Sequence, residues 1–373
     1  MGFNMQTYEY QYQTIRKSFI PGIAVIFIVA ACNDNPSANY EEKALHRAQD
    51  FQTSAQNTST SNNVVEITAK HVGDEYIFEL STDEIPSGWT TFRLKNESHS
   101  THFAYMAGVP QGAIDGAVDD NVDLLDYWIQ HVTNPFQFFM DDMIPGKELD
   151  LGNLPTKYAD TFFPPWFGEI LPNGGPGFTA GMTTSETTVY LGEGEYIVEC
   201  YVKNAEGDFH SYLGMIELLT VTDASSESEE PVATTELTIS TDGINFDRHV
   251  SAGEHLVKVN FKDQAQYDHL LGHDVHLIRM DTGTSVAEVG KWMSWMDPDG
   301  LVSSSSANSL GPATFLGGVQ TMTEGSHGYF HVTLEPGRYA WVSEIPDPHS
   351  NQMLEVFNVP RGVAAGRGQA GRQ

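Results

Sequence analysis

From about residue 64 onward the chain is a succession of short runs in which apolar and polar residues alternate, each bounded by Gly, Pro, Asn or Asp. Val64-Val65-Glu66-Ile67-Thr68-Ala69-Lys70 is one such run and Tyr196-Ile197-Val198-Glu199-Cys200 is another. Alternation at period 2, rich in β-branched and aromatic residues, predicts strands. In the first half they fall at 64–72, 76–81, 90–96, 102–107, 187–192, 195–202 and 213–222. In the second half they fall at 235–240, 255–261, 275–281, 327–334, 338–345 and 353–359. Six or seven short strands with tight turns bury their apolar faces by packing as two sheets, so the expected class is all-β, with each half a Greek-key β-sandwich. Two long connections, about 108–186 and 282–326, carry helix-like patches around Trp128 and Trp292. They are expected to be helical and loop insertions that act as lids over one end of each sandwich.

The halves share landmarks in the same order. Leu191-Gly192-Glu193-Gly194-Glu195-Tyr196 corresponds to Leu334-Glu335-Pro336-Gly337-Arg338-Tyr339, and His99-Ser100-Thr101-His102 to His273-Asp274-Val275-His276. His210-Ser211 ahead of Met215 corresponds to His349-Ser350 ahead of Met353. This order predicts a tandem duplication. The expected domains are 64–222 and a degenerate copy at 234–359, separated by a Ser/Glu-rich linker at 223–233. The Gly/Arg/Ala-rich stretch 360–373 has no core to join and is expected to be a disordered tail.

Ahead of the strands, residues 1–31 place Arg16 and Lys17 before the apolar run Phe19–Val29 and the small residues Ala30-Ala31, the pattern of a secretory signal. Val29-Ala30-Ala31-Cys32 also resembles the bacterial lipobox, which implies lipidation at Cys32. The polar segment 32–63 then reads as a flexible spacer from a membrane. The implied location is the cell envelope, lipid-anchored at the periplasmic face, the outer membrane or the cell surface. Asn33 in place of Asp favours the outer membrane or the surface.

Charge narrows the partners. Fifty Asp+Glu against 19 Lys+Arg give a net charge of −31, which excludes a nucleic-acid partner. Such a surface keeps a protein soluble in a salty medium, and it could also receive a cationic partner.

With Cys32 acylated, Cys200 is the one remaining thiol of the 373 residues. The turn-forming stretch Lys203-Asn204-Ala205-Glu206-Gly207-Asp208 predicts a hairpin that brings Cys200 and His210 opposite each other, their Cβ atoms on the order of 5 Å apart. A thiolate, two imidazoles and a weak thioether select copper and let it change oxidation state. His99-Ser100-Thr101-His102-Phe103, followed much later by Cys200, His210 and Met215, resembles the cupredoxin (blue-copper) family in ligand order. The resemblance spans about 64–222, with a degraded copy in the second half. It implies a cupredoxin-like sandwich holding one type 1 copper through His102, Cys200, His210 and Met215, and electron transfer with a redox partner protein. His99 stands as the alternative to His102, and Phe103 occupies a place where many members carry Asn.

In the second half, Ser343 aligns with Cys200, and a hydroxyl does not supply the thiolate such a centre needs. The H-x-H pairs of multicopper oxidases are absent from the sequence. The expectation is therefore an electron carrier without catalytic residues. The alternative is a copper-free surface lipoprotein that binds a small ligand or a partner protein through the lids around Trp128, Trp166 and Trp292.

Overall fold

A computed structural model describes residues 63–73, 75–141, 163–267, 270, 272–304 and 311–361. The signal segment 1–31, Cys32, nearly all of the spacer and the tail from 362 lie outside the described residues. The first half contributes β1 (Asn63–Val72), β2 (Glu75–Leu80), β3 (Glu84–Asn96), β4 (Tyr105–Gly108), β5 (Leu171–Pro172), β6 (Thr184–Leu191), β7 (Gly194–Glu199) and β8 (Ile216–Ser225). The second contributes β9 (Thr235–Ser240), β10 (Gly243–Phe246), β11 (Gly253–Phe261), β12 (Val275–Arg279), β13 (Thr314–Val319), β14 (His327–Leu334), β15 (Gly337–Val342) and β16 (Leu354–Val359).

One pairing scheme occurs twice. β1 forms a hairpin with β2 and runs parallel to β3, which pairs antiparallel with β6. In the same way β9 pairs with β10 and runs parallel to β11, which pairs antiparallel with β14. The opposing layers are the antiparallel sets β4-β7-β8 and β12-β15-β16. Each half is thus a two-layer β structure. Val65, Ile67, Phe92 and Leu94 from one layer of the first half lie in the same buried cluster as Ile197, Leu219 and Val221 from the other.

β3 belongs to both layers of its half. Its first residues, Glu84–Ser87, pair with β8, and from Gly88 onward it pairs with β6. The crossing falls at Gly88, whose φ of +134° is open to glycine and where a Cβ would lie 2.4 Å from Ser226 Oγ. A strand that changes sheets at such a corner closes the edge between the layers.

The halves are also joined by main chain. β6 pairs antiparallel with β14, matching Glu186–Thr188 to His331–Tyr329. The loop 173–179 adds bridges from Asn173 to Met322, Pro176 to Val319 and Thr179 to Leu316. The layers containing β6 and β14 are consequently one continuous sheet.

Three strands lie outside the predicted pattern: β5, β10 and β13. β13 carries Gly317 and Gly318 at φ +109° and +149°, and a Cβ on Gly318 would meet the Val275 carbonyl at 2.1 Å. Its pairing with β12 shifts register at this point, so the glycines that resemble a loop in sequence form a bulge in a strand. The first insertion folds as helices Gln111–Asp120 and Leu124–Trp128, a π-helical turn Ile129–Thr133, helix Asn134–Asp141 and a 3-10 turn Pro165–Glu169. The second contributes helix Val286–Trp292, capped by Ser285, whose Oγ accepts from the Glu288 N–H. No helix among the described residues is long and apolar enough to cross a membrane.

Candidate metal centre

β7 ends at Glu199, so Cys200 is the first residue beyond the strand rather than part of it, as the expected strand 195–202 had it. The chain then turns back on itself. His210 N–H donates to the Val202 carbonyl at 2.8 Å and Ser211 N–H to the Cys200 carbonyl at 2.8 Å. The turn is held by Asn204, whose Oδ1 accepts from the N–H groups of Glu206 and Asp208. From His210 the chain makes one tight loop, closed by Met215 N–H to the His210 carbonyl at 2.8 Å, with Gly214 at φ +114°. A Cβ at Gly214 would sit 2.9 Å from the Tyr76 carbonyl. Cys200 N–H donates to the Met215 carbonyl at 3.2 Å, so both ends of the loop are tied to each other.

His102 reaches the same place from the other side of the layer. It lies ahead of β4 in a single bridge to Thr179, not in a continuous strand from 102 to 107. Its Nδ1 is 3.6 Å from Cys200 Sγ and 3.1 Å from His210 Nδ1, and His210 Nδ1 is 3.7 Å from the sulfur. Among the described residues this is the one group of three or more His, Cys, Asp or Glu placed to share a metal ion, and all three are fully buried. The point equidistant from the three atoms lies about 2.0 Å from each, against metal–imidazole and metal–thiolate bonds of about 2.0–2.3 Å. The triangle therefore accommodates a metal ion without rearrangement. Its donor set, two imidazole nitrogens and one sulfur in a trigonal array, is that of a type 1 copper site.

The protonation states suit ligation by nitrogen. Burial lowers His102 well below its ordinary pKa, and His71 adds to this. His210 is lowered by burial and then by His102 and His71, against the Ser303 backbone. Both rings are thus neutral near pH 7. Burial pushes the Cys200 thiol up to about 12, the backbone amides of Phe103 and Val202 opposing and the Glu199 and Glu344 carboxyls adding to the rise. A metal ion entering the site must displace that thiol proton.

The tautomer of His102 is fixed by a chain of polar groups that sequence reading does not single out. Asn96 Oδ1 accepts from Ser98 Oγ at 2.9 Å, and Ser98 Oγ lies 2.8 Å from His102 Nε2. With its own proton directed at Asn96, Ser98 accepts from Nε2–H, which leaves the Nδ1 lone pair facing the sulfur and His210. Asn96 is held in turn by its Nδ2 donating to the carbonyls of Ser100 and Thr179. The signal for this is present as the polar run Asn96-Glu97-Ser98 between strand and histidine. His71 and Tyr76, paired across the β1–β2 hairpin, are likewise outside the sequence-derived set. Tyr76 stacks on His210 with centroids 4.3 Å apart, and the His71 ring is 5.2 Å from that of His102. No local motif in the sequence marks either residue.

The remaining sequence candidates fall as follows. His99 is exposed, and His102 is the histidine that joins the cluster. Met215 is fully buried at the end of the His210 loop. In the second half, Ser343 donates to Asp274 Oδ1 at 3.0 Å, while His276 Nε2 lies 2.7 Å from Asp274 Oδ2 and His276 Nδ1 accepts from the Phe178 N–H. A closed hydrogen-bond network therefore occupies the position equivalent to the donor triangle. His349 is exposed and takes no part.

The second half closes the first half's site. Ser303 Oγ accepts from Thr101 N–H at 2.8 Å, Ser303 N–H donates to the Lys203 carbonyl, and Lys203 N–H donates to the Leu301 carbonyl. Lys203 itself is buried, and its Nζ donates to the carbonyls of Trp295 at 2.9 Å and Asp297 at 2.6 Å.

No family model and no curated protein matches the sequence. Solved structures similar to the chain include auracyanin B, at 17% identity over 36% of this chain and 93% of that one, with a TM-score of 0.24. Auracyanin A, a blue copper protein of Chloroflexus aurantiacus, is similar at 16% identity over 43% of this chain and 100% of that one, TM-score 0.23. A blue copper oxidase from Nitrosomonas europaea is similar at 9% identity over 80% and 86%, TM-score 0.20.

Proposed function

We propose that this protein is an exported, membrane-anchored electron-transfer protein in which His102, Cys200 and His210 would hold one copper ion, with the Met215 thioether as a weaker fourth donor. The observation that carries the reading is the buried triangle of two neutral imidazole nitrogens and one sulfur, sized for a metal ion. Copper in such a site supplies a one-electron couple. Around it the chain's own groups set the conditions for exchange with little rearrangement. Ser98 holds His102 in one tautomer, the 200–215 loop fixes Cys200 and His210 to each other, and full burial of all three donors excludes water.

The expected partners are a redox protein and a membrane, the latter through acylation of Cys32 after removal of residues 1–31. The support for anchoring is the basic, apolar and small-residue pattern ending at Cys32 and the polar spacer behind it. Mass spectrometry of membrane-extracted protein should find an acylated N-terminal Cys32; an unmodified N-terminus elsewhere would remove the anchor from the reading.

For the site, Cu(II) added to the purified chain should give an intense visible thiolate-to-copper band at one copper per chain. Cys200→Ser should abolish the band and Ser343→Ala should leave it intact. A wild-type protein that shows no band and keeps no metal after dialysis would overturn the electron-transfer function.

A further inference from the structure

A cavity of about 780 Å³ lies beside the donor triangle. Its lining includes Glu199 and Tyr201, the chain neighbours of Cys200, and Phe209 and Ser211, the chain neighbours of His210. The opposite walls come from the insertions, with Trp128, Phe136, Phe139 and Phe167 from the first and Trp295 from the second. This volume is in the range of cavities that enclose small molecules, about 300–1,000 Å³.

Three polar groups along the lining lack partners. Trp128 Nε1 and Thr133 Oγ1 are buried with no hydrogen bond among the described residues. The Glu199 carboxyl, on a half-buried residue, has neither a hydrogen-bond nor an ion-pair partner among the described residues. Folded proteins satisfy nearly all buried polar groups, and a lone carboxyl among aromatic rings is costly to enclose. A carboxyl with no protein partner at an aromatic-walled cavity is the complement of a ligand that carries a hydrogen-bond donor on a ring, whereas Trp128 Nε1 and Thr133 Oγ1 are covered by protein and do not open to the cavity.

We infer that this cavity binds a flat aromatic molecule that donates a hydrogen bond to the Glu199 carboxyl while its rings pack between Trp128, Phe136 and Phe167. Ring faces supply contact area and favourable offset or edge geometries, and the carboxyl supplies orientation. A site built around an open acceptor discriminates strongly against an analogue that lacks the donor, because the acceptor then stays buried and unpaired. The inference does not rest on copper, since every group it uses is present in the metal-free chain.

The test is a fluorescence titration of the full, metal-free chain with 1-hydroxypyrene and with 1-methoxypyrene, which share a ring system and differ in the donor. Binding should be one probe per chain, with 1-hydroxypyrene at least about tenfold the tighter. Glu199→Leu should bring the two probes to the same affinity, and the nearly isosteric Glu199→Gln, which keeps an acceptor oxygen, should retain a preference. Ile170→Trp, which fills the cavity from its lining, should weaken both probes about tenfold. Near-ultraviolet circular dichroism verifies that each variant is folded. Absence of binding by either probe to the wild-type chain would overturn the inference and leave a cavity holding only water. Equal binding of the two probes by wild type would overturn the role of Glu199. Neither result bears on the copper band, which is measured separately.

Discussion

At the scale of single residues, the copper reading depends on groups that never touch the metal. Ser98 is the clearest. It accepts from His102 Nε2 and donates to Asn96, so Ser98→Ala leaves His102 free to rotate or change tautomer. Loss of such a supporting hydrogen bond lowers metal affinity by about 10- to 100-fold. Competition against a copper chelator should show that drop with the visible band retained, and unchanged affinity would remove Ser98 from the site's design. Glu199 makes a different prediction, about stability. Burial raises its carboxyl from 4.5 to about 7. Between those values the folded chain binds more protons than the unfolded chain, so stability is full below about 4.5 and is lost as pH rises through about 7. The loss is on the order of 3 kcal/mol. Urea unfolding of metal-free wild type and Glu199→Gln should isolate this decline, between about pH 5 and about pH 8, as the difference between the two, because the buried His102 and His210 act in the opposite direction below about pH 6.5 in both chains. An identical slope in the variant would place the decline elsewhere.

At the scale of elements, the sequence is most legible where alternation is cleanest. Val65, Ile67 and Ala69 on β1 are buried while their neighbours are less so, as their spacing requires. The hairpin joining Cys200 to His210 is legible too, because Asn204, Gly207 and Asp208 have turn chemistry of their own. β13 is hidden because Gly317 and Gly318 serve a close approach to β12 that exists only in three dimensions. The same limit hides His71 and Tyr76, which reach the site only through the register of β1 against β2 and the packing of that hairpin on the His210 loop. Gly214 tests that packing. A side chain there meets the Tyr76 carbonyl at 2.9 Å and needs a left-handed backbone at φ +114°. Gly214→Val should destabilise by about 2 kcal/mol and shift the copper band as Met215 moves, whereas Gly207→Ala, with nothing within 4 Å of its added Cβ, should cost less and leave the band in place. Equal effects from the two changes would mean that the His210 loop is not packed against the hairpin.

At the scale of the whole molecule, the repeated landmarks make the duplication legible, because the pairing of β1, β2, β3 and β6 recurs in β9, β10, β11 and β14. What no repeat foretells is contact between copies. The β6–β14 pairing and the hydrogen bonds from Leu301 and Ser303 to Lys203 and Thr101 link residues more than 90 positions apart, and neither side carries a pattern of its own for them. Lys203 shows how deep the contact runs. Burial lowers its ammonium to about 7, with Asp297, Glu344 and Asp299 opposing, yet its Nζ is spent on carbonyls of the second half. Replacing it with Met would strand those carbonyls and should weaken the seam by about 1–3 kcal/mol. Chemical denaturation should detect this as a lower midpoint, and an unchanged midpoint would assign the clip no energetic role.

The β6–β14 seam also changes what the connecting peptide does. A cut beside the exposed Val232 removes one covalent link but none of the main-chain hydrogen bonds between Glu186–Thr188 and Tyr329–His331. Cutting there converts an intramolecular equilibrium into a bimolecular one. The nicked protein should run as a single particle on gel filtration at micromolar concentration and come apart only on dilution, with the visible band fading as the second half leaves. In that light the second half is a tethered ligand of the first: the seam sets its affinity, and the connecting peptide sets its effective concentration.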